Sequence, residues 1–298
     1  DGDRFGGAVA MGGDLNDDGV GDLVVGASRY NGDGLSKGAA YVYYGPLEDT
    51  IEAVGADVIL SGESDHDRAG VSVEIVGDTN DDGYADLLVG AYVEDAGGDG
   101  AGAAYFLSGP IGGASLEGSL MSLGDSDVKL IGEIGGDYAG FSLSGAGDIN
   151  DDGYADVLIG AYTASPGLRS EAGAAYILFG PIDDSLDELE DGELDLSYSN
   201  VIIMGASAGD QLSYSMDGVG DVDGVDLDGD SFGDVLFGAP NTMSGGAYTG
   251  AAFLVLGSDA MEGNIDLADD SDGIFIGVNS ADQAGYSVAG IGDIDEDG

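Results

Sequence analysis

Cysteine and tryptophan are absent from this 298-residue chain, histidine occurs once, and Lys and Arg together number six. Without cysteine there is no disulfide framework, no zinc–thiolate site and no thiol nucleophile. Six cations against 59 acids, a net charge of −53, leave no basic cluster for phosphate, so nucleic acid is excluded as a partner. The lone histidine, His66, lies in the turn sequence Ser64-Asp-His-Asp-Arg68 and reads as an exposed turn residue, not a general base. No Ser-His-Asp set and no phosphate-cradling Gly-Lys-Ser/Thr loop accompanies it, so the sequence names no catalytic residue and no organic cofactor. No apolar run of about 18 residues is present, hence no membrane span in this stretch. There is also no secretory leader, which in a fragment decides nothing about the parent protein.

The shortage of positive charge is itself informative. Twenty of the acids belong to a repeated loop described below, and thirty-nine lie elsewhere against the six cations. Such self-repulsion is tolerable where salt is abundant, because the Debye length shrinks to about 3 Å at 1 M ionic strength. A halophilic or marine setting is therefore expected. Disorder, the other reading of high charge, is opposed by a 43% hydrophobic content gathered in regular runs, and the 58 glycines punctuate the ends of those runs. The most tail-like segment, residues 181–196, reads as a solvated acidic insertion.

What the chain does have is a nine-residue acidic loop, Asp-x-Asn/Asp-x-Asp-Gly-x-x-Asp, returning five times. Oxygen ligands at positions 1, 3, 5 and 9, a backbone carbonyl at 7 and a Gly at 6 for the sharp turn are calcium-loop chemistry. The candidate ligands are Asp14, Asn16, Asp18, Val20 and Asp22; Asp78, Asn80, Asp82, Tyr84 and Asp86; and Asp148, Asn150, Asp152, Tyr154 and Asp156. In the fourth copy, Asp226, Asp228, Asp230, Phe232 and Asp234 keep the ligand types, but Ser231 replaces the Gly and five residues, 221–225, are inserted; Asp221 and Asp223 offer an alternative register. The fifth copy keeps Asp293, Asp295 and Asp297 and lacks its ninth position. About four structural Ca²⁺ sites and an incomplete fifth are thus expected, against the alternative of metal-free Asx-rich turns.

Register comes from the flanks. A run ending in Gly precedes each loop, and a Val/Leu/Ile-rich run ending in Gly-Ala follows it, as in Asp86-Leu-Leu-Val-Gly-Ala91. A third run (Gly38–Gly45, Gly102–Gly109, Gly173–Gly180, Gly250–Gly257) and a fourth (Asp57–Gly62, Asp127–Gly132, Asn200–Gly205, Gly273–Gly277) complete the unit. Loop starts at 14, 78, 148, 226 and 293 give periods of 64, 70, 78 and 67 residues. Four short strands per period is a propeller blade; the period is too long for a 40–45-residue WD40 blade, and the flanks lack the 3.6-residue spacing that helical calcium repeats would need.

These residues resemble the FG-GAP repeats of integrin α-subunit β-propellers and their prokaryotic relatives, over essentially the whole chain. Phe5-Gly6 supplies the FG element once, the matching positions reading Ala69-Gly70, Ala139-Gly140, Leu212-Ser213 and Ala284-Gly285. Gly238-Ala239-Pro240 is the one full GAP, beside Gly26-Ala27-Ser28, Gly90-Ala91-Tyr92 and Gly160-Ala161-Tyr162. The resemblance implies an all-β β-propeller, here a fragment of a ring of seven blades, with a ring of four or five blades as the alternative, and with repeats at about 3–66, 67–136, 137–209 and 210–281 and a partial one at 282–298. It further implies metal loops on one face and ligands on the other.

That second face is expected from the loops joining second to third strands (28–37, 92–100, 162–171, 241–249) and fourth to first strands (63–68, 133–138, 206–211, 279–283), where Tyr30, Tyr92, Tyr162 and Tyr248 recur. They suit contact with a protein or carbohydrate, the alternative being plain strand-end aromatics. Sites of about 10⁻⁴–10⁻³ M fill only in extracellular calcium, which points to secretion or surface display. The expected function is extracellular adhesion or ligand recognition. A purely structural module and a polysaccharide-active enzyme are the alternatives, the last requiring a cleft with two non-ligand carboxylates of raised pKa.

Overall fold

Strands form where the β-branched and aromatic runs predict them. The structure, a computed structural model, describes residues 2–32, 34–47, 52–112, 119–183, 186, 189–222, 232–244 and 246–291. The first repeat supplies β1 (Phe5–Met11), β2 (Leu23–Ala27), β3 (Ala39–Tyr43) and β4 (Val58–Ser61). The second gives β5 (Val73–Gly77), β6 (Asp86–Ala91), β7 (Ala103–Leu107), β8 (Ser119–Ser122) and β9 (Val128–Ile131). The third gives β10 (Ser142–Gly147), β11 (Asp156–Ala161), β12 (Ala174–Leu178), β13 (Glu193–Asp195) and β14 (Val201–Met204). The fourth gives β15 (Ser215–Gly220), β16 (Asp234–Ala239), a short hairpin of β17 (Met243–Ser244) and β18 (Ala247–Tyr248), β19 (Ala251–Val255), β20 (Gly263–Asp266) and β21 (Gly273–Ile276).

Each repeat builds one antiparallel meander in chain order, β1-β2-β3-β4, β5-β6-β7-β9, β10-β11-β12-β14 and β15-β16-β19-β21. The fold is all-β, in blades of the FG-GAP propeller kind. Sequence analysis expects four strands per blade, and three of the four sheets have a fifth. β8, β13 and β20 leave the connection before a fourth strand and pair in parallel with the outer strand of the preceding repeat: β8 on β4, β13 on β9 and β20 on β14. The outer edge of each of these sheets is thereby covered, which removes the unpaired N–H and C=O row that an edge strand exposes.

The described chain divides into two compact units, Asp1–Leu143 with Pro181–Tyr198, and Ser144–Gly180 with Ser199–Gly298. In the first unit one core joins its two sheets, with Val24, Leu60, Leu87, Val89, Tyr105 and Leu123 among the buried residues. In the second, Leu158, Ile203, Phe237, Phe253 and Leu267 belong to the equivalent core. The middle strands are buried on both faces, every residue of β6, β7, β11 and β12 being buried, which is why their runs read as continuously apolar instead of alternating. Close packing of one repeat on the next fixes one glycine in the first, second and fourth repeats. A Cβ on Gly26, Gly90 or Gly238 would meet the carbonyl oxygen of Gly70, Gly140 or Gly285, the residue that opens the following repeat.

Candidate functional site

Each acidic loop joins the first two strands of its meander. In the first, the Asp14 carboxylate accepts backbone N–H groups from Asn16 (3.2 Å), Asp18 (3.2 Å) and Gly19 (2.7 Å). The second and third loops repeat this: Asp78 accepts from Asp82 and Gly83 at 3.2 and 2.9 Å, and Asp148 from Asp152 and Gly153 at 3.0 and 2.9 Å. At position 3, Asn16, Asn80 and Asn150 each accept the N–H of position 5 at 3.1 Å. At position 5, Asp18, Asp82 and Asp152 accept the N–H of Val20, Tyr84 and Tyr154 at 2.8, 2.9 and 3.0 Å. The turn needs left-handed backbone twice. Position 4 (Asp17, Asp81, Asp151) has φ of 63, 60 and 58°, which Asp tolerates, and position 6 (Gly19, Gly83, Gly153) has φ of 81, 91 and 95°, which favours Gly.

The ninth position is different in kind. Asp22, Asp86 and Asp156 are 1%, 0% and 0% exposed. One oxygen of each accepts the N–H of loop position 2, Leu15 at 2.7 Å, Thr79 at 2.9 Å and Ile149 at 2.8 Å. The other accepts the N–H at the end of the third strand, Gly45, Gly109 or Gly180, each at 2.9 Å. One buried carboxylate thus ties the start of the acidic loop to the end of the third strand. Burial raises the pKa of all three, to about 7 for Asp156, and the carboxylate at position 5 of the same loop adds to the rise. Asp14 goes the other way: its slight desolvation is outweighed by the backbone N–H groups it accepts, and its pKa is lowered.

In the fourth repeat, Asp226, Asp228 and Asp230 lie outside the described residues, and so do Asp293, Asp295 and Asp297 of the fifth loop. The described ends of the fourth loop are still informative. Asp234, 2% exposed, accepts the N–H of Val222 at 2.8 Å and of Gly257 at 3.0 Å, the two bonds that its counterparts make. Val222 therefore makes the bond that Leu15, Thr79 and Ile149 make, as a loop starting at Asp221 would have it. Phe232 precedes Asp234 by two residues, as Val20 precedes Asp22.

Among the described residues, no three acidic or histidine side chains stand together as a metal cluster. The groups at positions 1, 3 and 5 are turned onto the loop's own N–H groups. The donor set nonetheless fits a hard cation, since it is all oxygen and its carboxylates already repel one another through the buried Asp.

At the other end of the sheets the two remaining loop sets meet. His66 N–H donates to the Leu35 carbonyl at 2.8 Å, Gly136 N–H to Gly100 at 3.1 Å and Gly209 N–H to Ser170 at 2.9 Å. His66 is exposed, with a φ of 75°. The recurring tyrosines are partly committed to packing: Tyr92 stands edge-on to Tyr138 and Phe141 at 5.6 and 5.7 Å, Tyr162 to Tyr214 at 5.5 Å, and Tyr30 to Tyr41 at 5.9 Å. Tyr248 is 58% exposed and Tyr286 is 54% exposed.

Two features escape sequence reasoning here. Asp67, Asp137 and Asp210 are buried in equivalent turns, Asp67 accepting Ser64 N–H at 2.6 Å and Asp210 accepting Ser207 N–H at 3.0 Å. Burial pushes their pKa up, to about 7, about 6 and about 6. Recurrence at the same turn in successive repeats makes them part of the fold, not the carboxylate pair of a glycosidase cleft. Their signal in the sequence is the Asp that recurs five residues after the Gly closing each fourth strand. The second feature is Lys129, buried in β9, whose ammonium binds Glu63 at 2.8 Å and Glu94 at 2.9 Å and lies 5.7 Å from the Tyr105 ring centre.

Comparison with known proteins bears on this geometry. The family model for the FG-GAP repeat matches residues 5–43, 69–107 and 139–178, each match running from a first strand through the acidic loop to a third strand. The chain is 34% identical over 157 residues to integrin alpha-3 of Cricetulus griseus, which covers 53% of this chain and 14% of that protein. It is also 34% identical to integrin alpha-6 of Gallus gallus over 154 residues (51% and 13%) and to integrin alpha-11 of Homo sapiens over 149 residues (50% and 12%). The chain thus carries three FG-GAP repeats of the integrin alpha-like kind, and it spans 12–14% of the length of these relatives.

Proposed function

We propose that this chain is a calcium-stabilised FG-GAP β-propeller region of an extracellular or cell-surface protein, with a role in adhesion or recognition of a protein or carbohydrate. The observation that carries the metal part is the carboxylate at position 9, buried beside the acid of position 5 in three successive loops with no cationic partner among the described residues. Side-chain oxygens at positions 1, 3, 5 and 9 and the carbonyl of position 7 would hold the ion: Asp14, Asn16, Asp18, Val20 and Asp22, and their counterparts at 78–86 and 148–156. The fourth site would use Asp234 with either Asp221 or Asp226 at its start.

Bound calcium would cancel the repulsion among these carboxylates. The chain's own groups do the rest: the ninth Asp ties loop to strand, and Gly at position 6 turns the backbone inward. Metal binding then adds to folding free energy, with no open coordination position for catalysis implied. Similarity to integrin alpha subunits supports adhesion or ligand binding over enzymatic turnover, and the loop set bearing Tyr248 is the proposed recognition face.

The test is thermal unfolding with calcium, with EGTA, and with EGTA plus molar NaCl, followed by glycan- and protein-array binding. A calcium-specific rise in midpoint that NaCl alone does not reproduce is the expected result. Rescue by NaCl without calcium would return the loops to acidic turns in a salt-adapted protein.

A further inference from the structure

One sheet differs from the other three at its outer edge. The sheet β15-β16-β19-β21 ends at β21, with no fifth strand among the described residues. Pairing with the third strand fixes the comparison: Phe275 faces Ala252 as Leu60 faces Ala40, Leu130 faces Ala104 and Ile203 faces Ala175. Leu60, Leu130 and Ile203 are fully buried, whereas Phe275 is 60% exposed, flanked by Ile274 at 49% and Ile276 at 51%. A run Ile-Phe-Ile left on an open edge is an unsatisfied strand-pairing surface.

What covers the other three edges is specific. Opposite Leu60, Leu130 and Ile203 stand Met121, Leu194 and Ile265 of the donated strands, in the same parallel register each time. Two residues after each of these comes a leucine, Leu123, Leu196 or Leu267, 0%, 0% and 1% exposed. The donor signature is therefore an apolar residue, any residue, then Leu. The junction that precedes a donor is also present beside β21. Gly250 bridges Ala284 as Gly38 bridges Ala69 and Gly102 bridges Ala139. Gly285 approaches Gly238 as Gly70 approaches Gly26. From Asp282 to Gly292 the sequence restates the start of a repeat, as Asp137 to Gly147 does.

We propose that the open edge of β21 is the docking site for the segment before the fourth strand of a further FG-GAP repeat, the one whose first-strand sequence begins at Tyr286. That segment lies parallel to β21 with its apolar residue opposite Phe275 and its leucine over the exposed face. The inference rests on strand geometry alone and stands or falls independently of calcium.

The experiment is amide hydrogen exchange of the full chain, with and without the peptide Gly-Asn-Ile-Asp-Leu-Ala-Asp, a copy of residues 263–269, at millimolar concentration. Exchange at 273–276 is expected to slow about tenfold with this peptide, and not with a version carrying Asp at both apolar positions. F275D, a change at an exposed site, should abolish the protection while leaving exchange in β16 and β19 unchanged. No protection at 273–276, or equal protection by the Asp-substituted peptide, overturns the proposal. Protection without peptide that rises with protein concentration also overturns it, because a second copy of the chain would then be the occupant.

Discussion

At the scale of single residues, the acid side chains of this protein do two jobs that charge counting cannot separate. Acids at loop positions 1 and 5 are partly or fully exposed and satisfied by backbone N–H groups, whereas those at position 9 are buried and tie two strands together. D82N should therefore lower calcium stoichiometry by one in isothermal titration with little loss of metal-free stability. D86N should instead lower the metal-free unfolding midpoint, because burying an amide where two N–H groups need acceptors forfeits about 1–3 kcal/mol. Asp67 gives a pH prediction. Burial, with Glu94 and Glu63 nearby, raises its folded pKa to about 7 from 3.8. The folded state then holds the proton more tightly than the unfolded state across that window, so stability falls as pH rises from about 4 to about 7. Asp137 and Asp210, raised to about 6, act in the same sense. Urea midpoints at pH 5 and pH 8 should differ less in D67N than in the parent chain.

At the scale of elements, the outer strands carry the specificity. β9 places Lys129 where β4 has Ile59 and β14 has Ile202, and the cation is buried among Glu63, Glu94 and the Tyr105 ring. Removing it leaves Glu94 buried and unpaired, so K129M should cost about 3–5 kcal/mol in chemical denaturation, far more than truncating an exposed lysine. L123A tests the donated strand of the first sheet: Leu123 is fully buried over that sheet, and its loss should cost about 2–5 kcal/mol. The close approach of one repeat to the next is tested by G90A. A methyl group there collides with the Gly140 carbonyl, so the variant should unfold at a markedly lower temperature, whereas G136A, with open space around its Cβ, should pay only for its left-handed backbone.

At the scale of the whole molecule, the charge of −53 sets the conditions under which any of this can be measured. Salt and site-bound calcium would both relieve carboxylate repulsion, but by different laws. Screening saturates once the Debye length falls below the spacing of surface charges, whereas site binding follows the logarithm of calcium concentration over the dissociation constant. The unfolding midpoint should therefore keep rising with micromolar-to-millimolar calcium at fixed 1 M NaCl. A flat response under those conditions would remove the metal from the stability of the fold.

The sequence by itself determined the repeat, its meander of four strands and the wrapping of the acidic loops, because each of these is settled within about ten residues: alternation of runs and glycines makes the strands, and Asp, Asn and Gly at fixed spacing make the turn. It also marked Asp14, Asp18 and Asp22 as one constellation. What it did not separate was Asp22 as a buried tie from Asp18 as a loop acceptor, since the partner of Asp22 is Gly45, beyond two further strands. Only the tertiary structure decided that β8, β13 and β20 are strands at all. Segments such as Gly263-Asn-Ile-Asp266 have little strand propensity of their own and become extended through parallel pairing with an outer strand from the preceding repeat, Val201–Met204 in this case. A related reason hid the bonding of the fourth loop. An insertion leaves local spacing ambiguous, and it is the bond from Val222 to Asp234, closed by the folding of β15 onto β16, that puts Val222 in the place of Leu15.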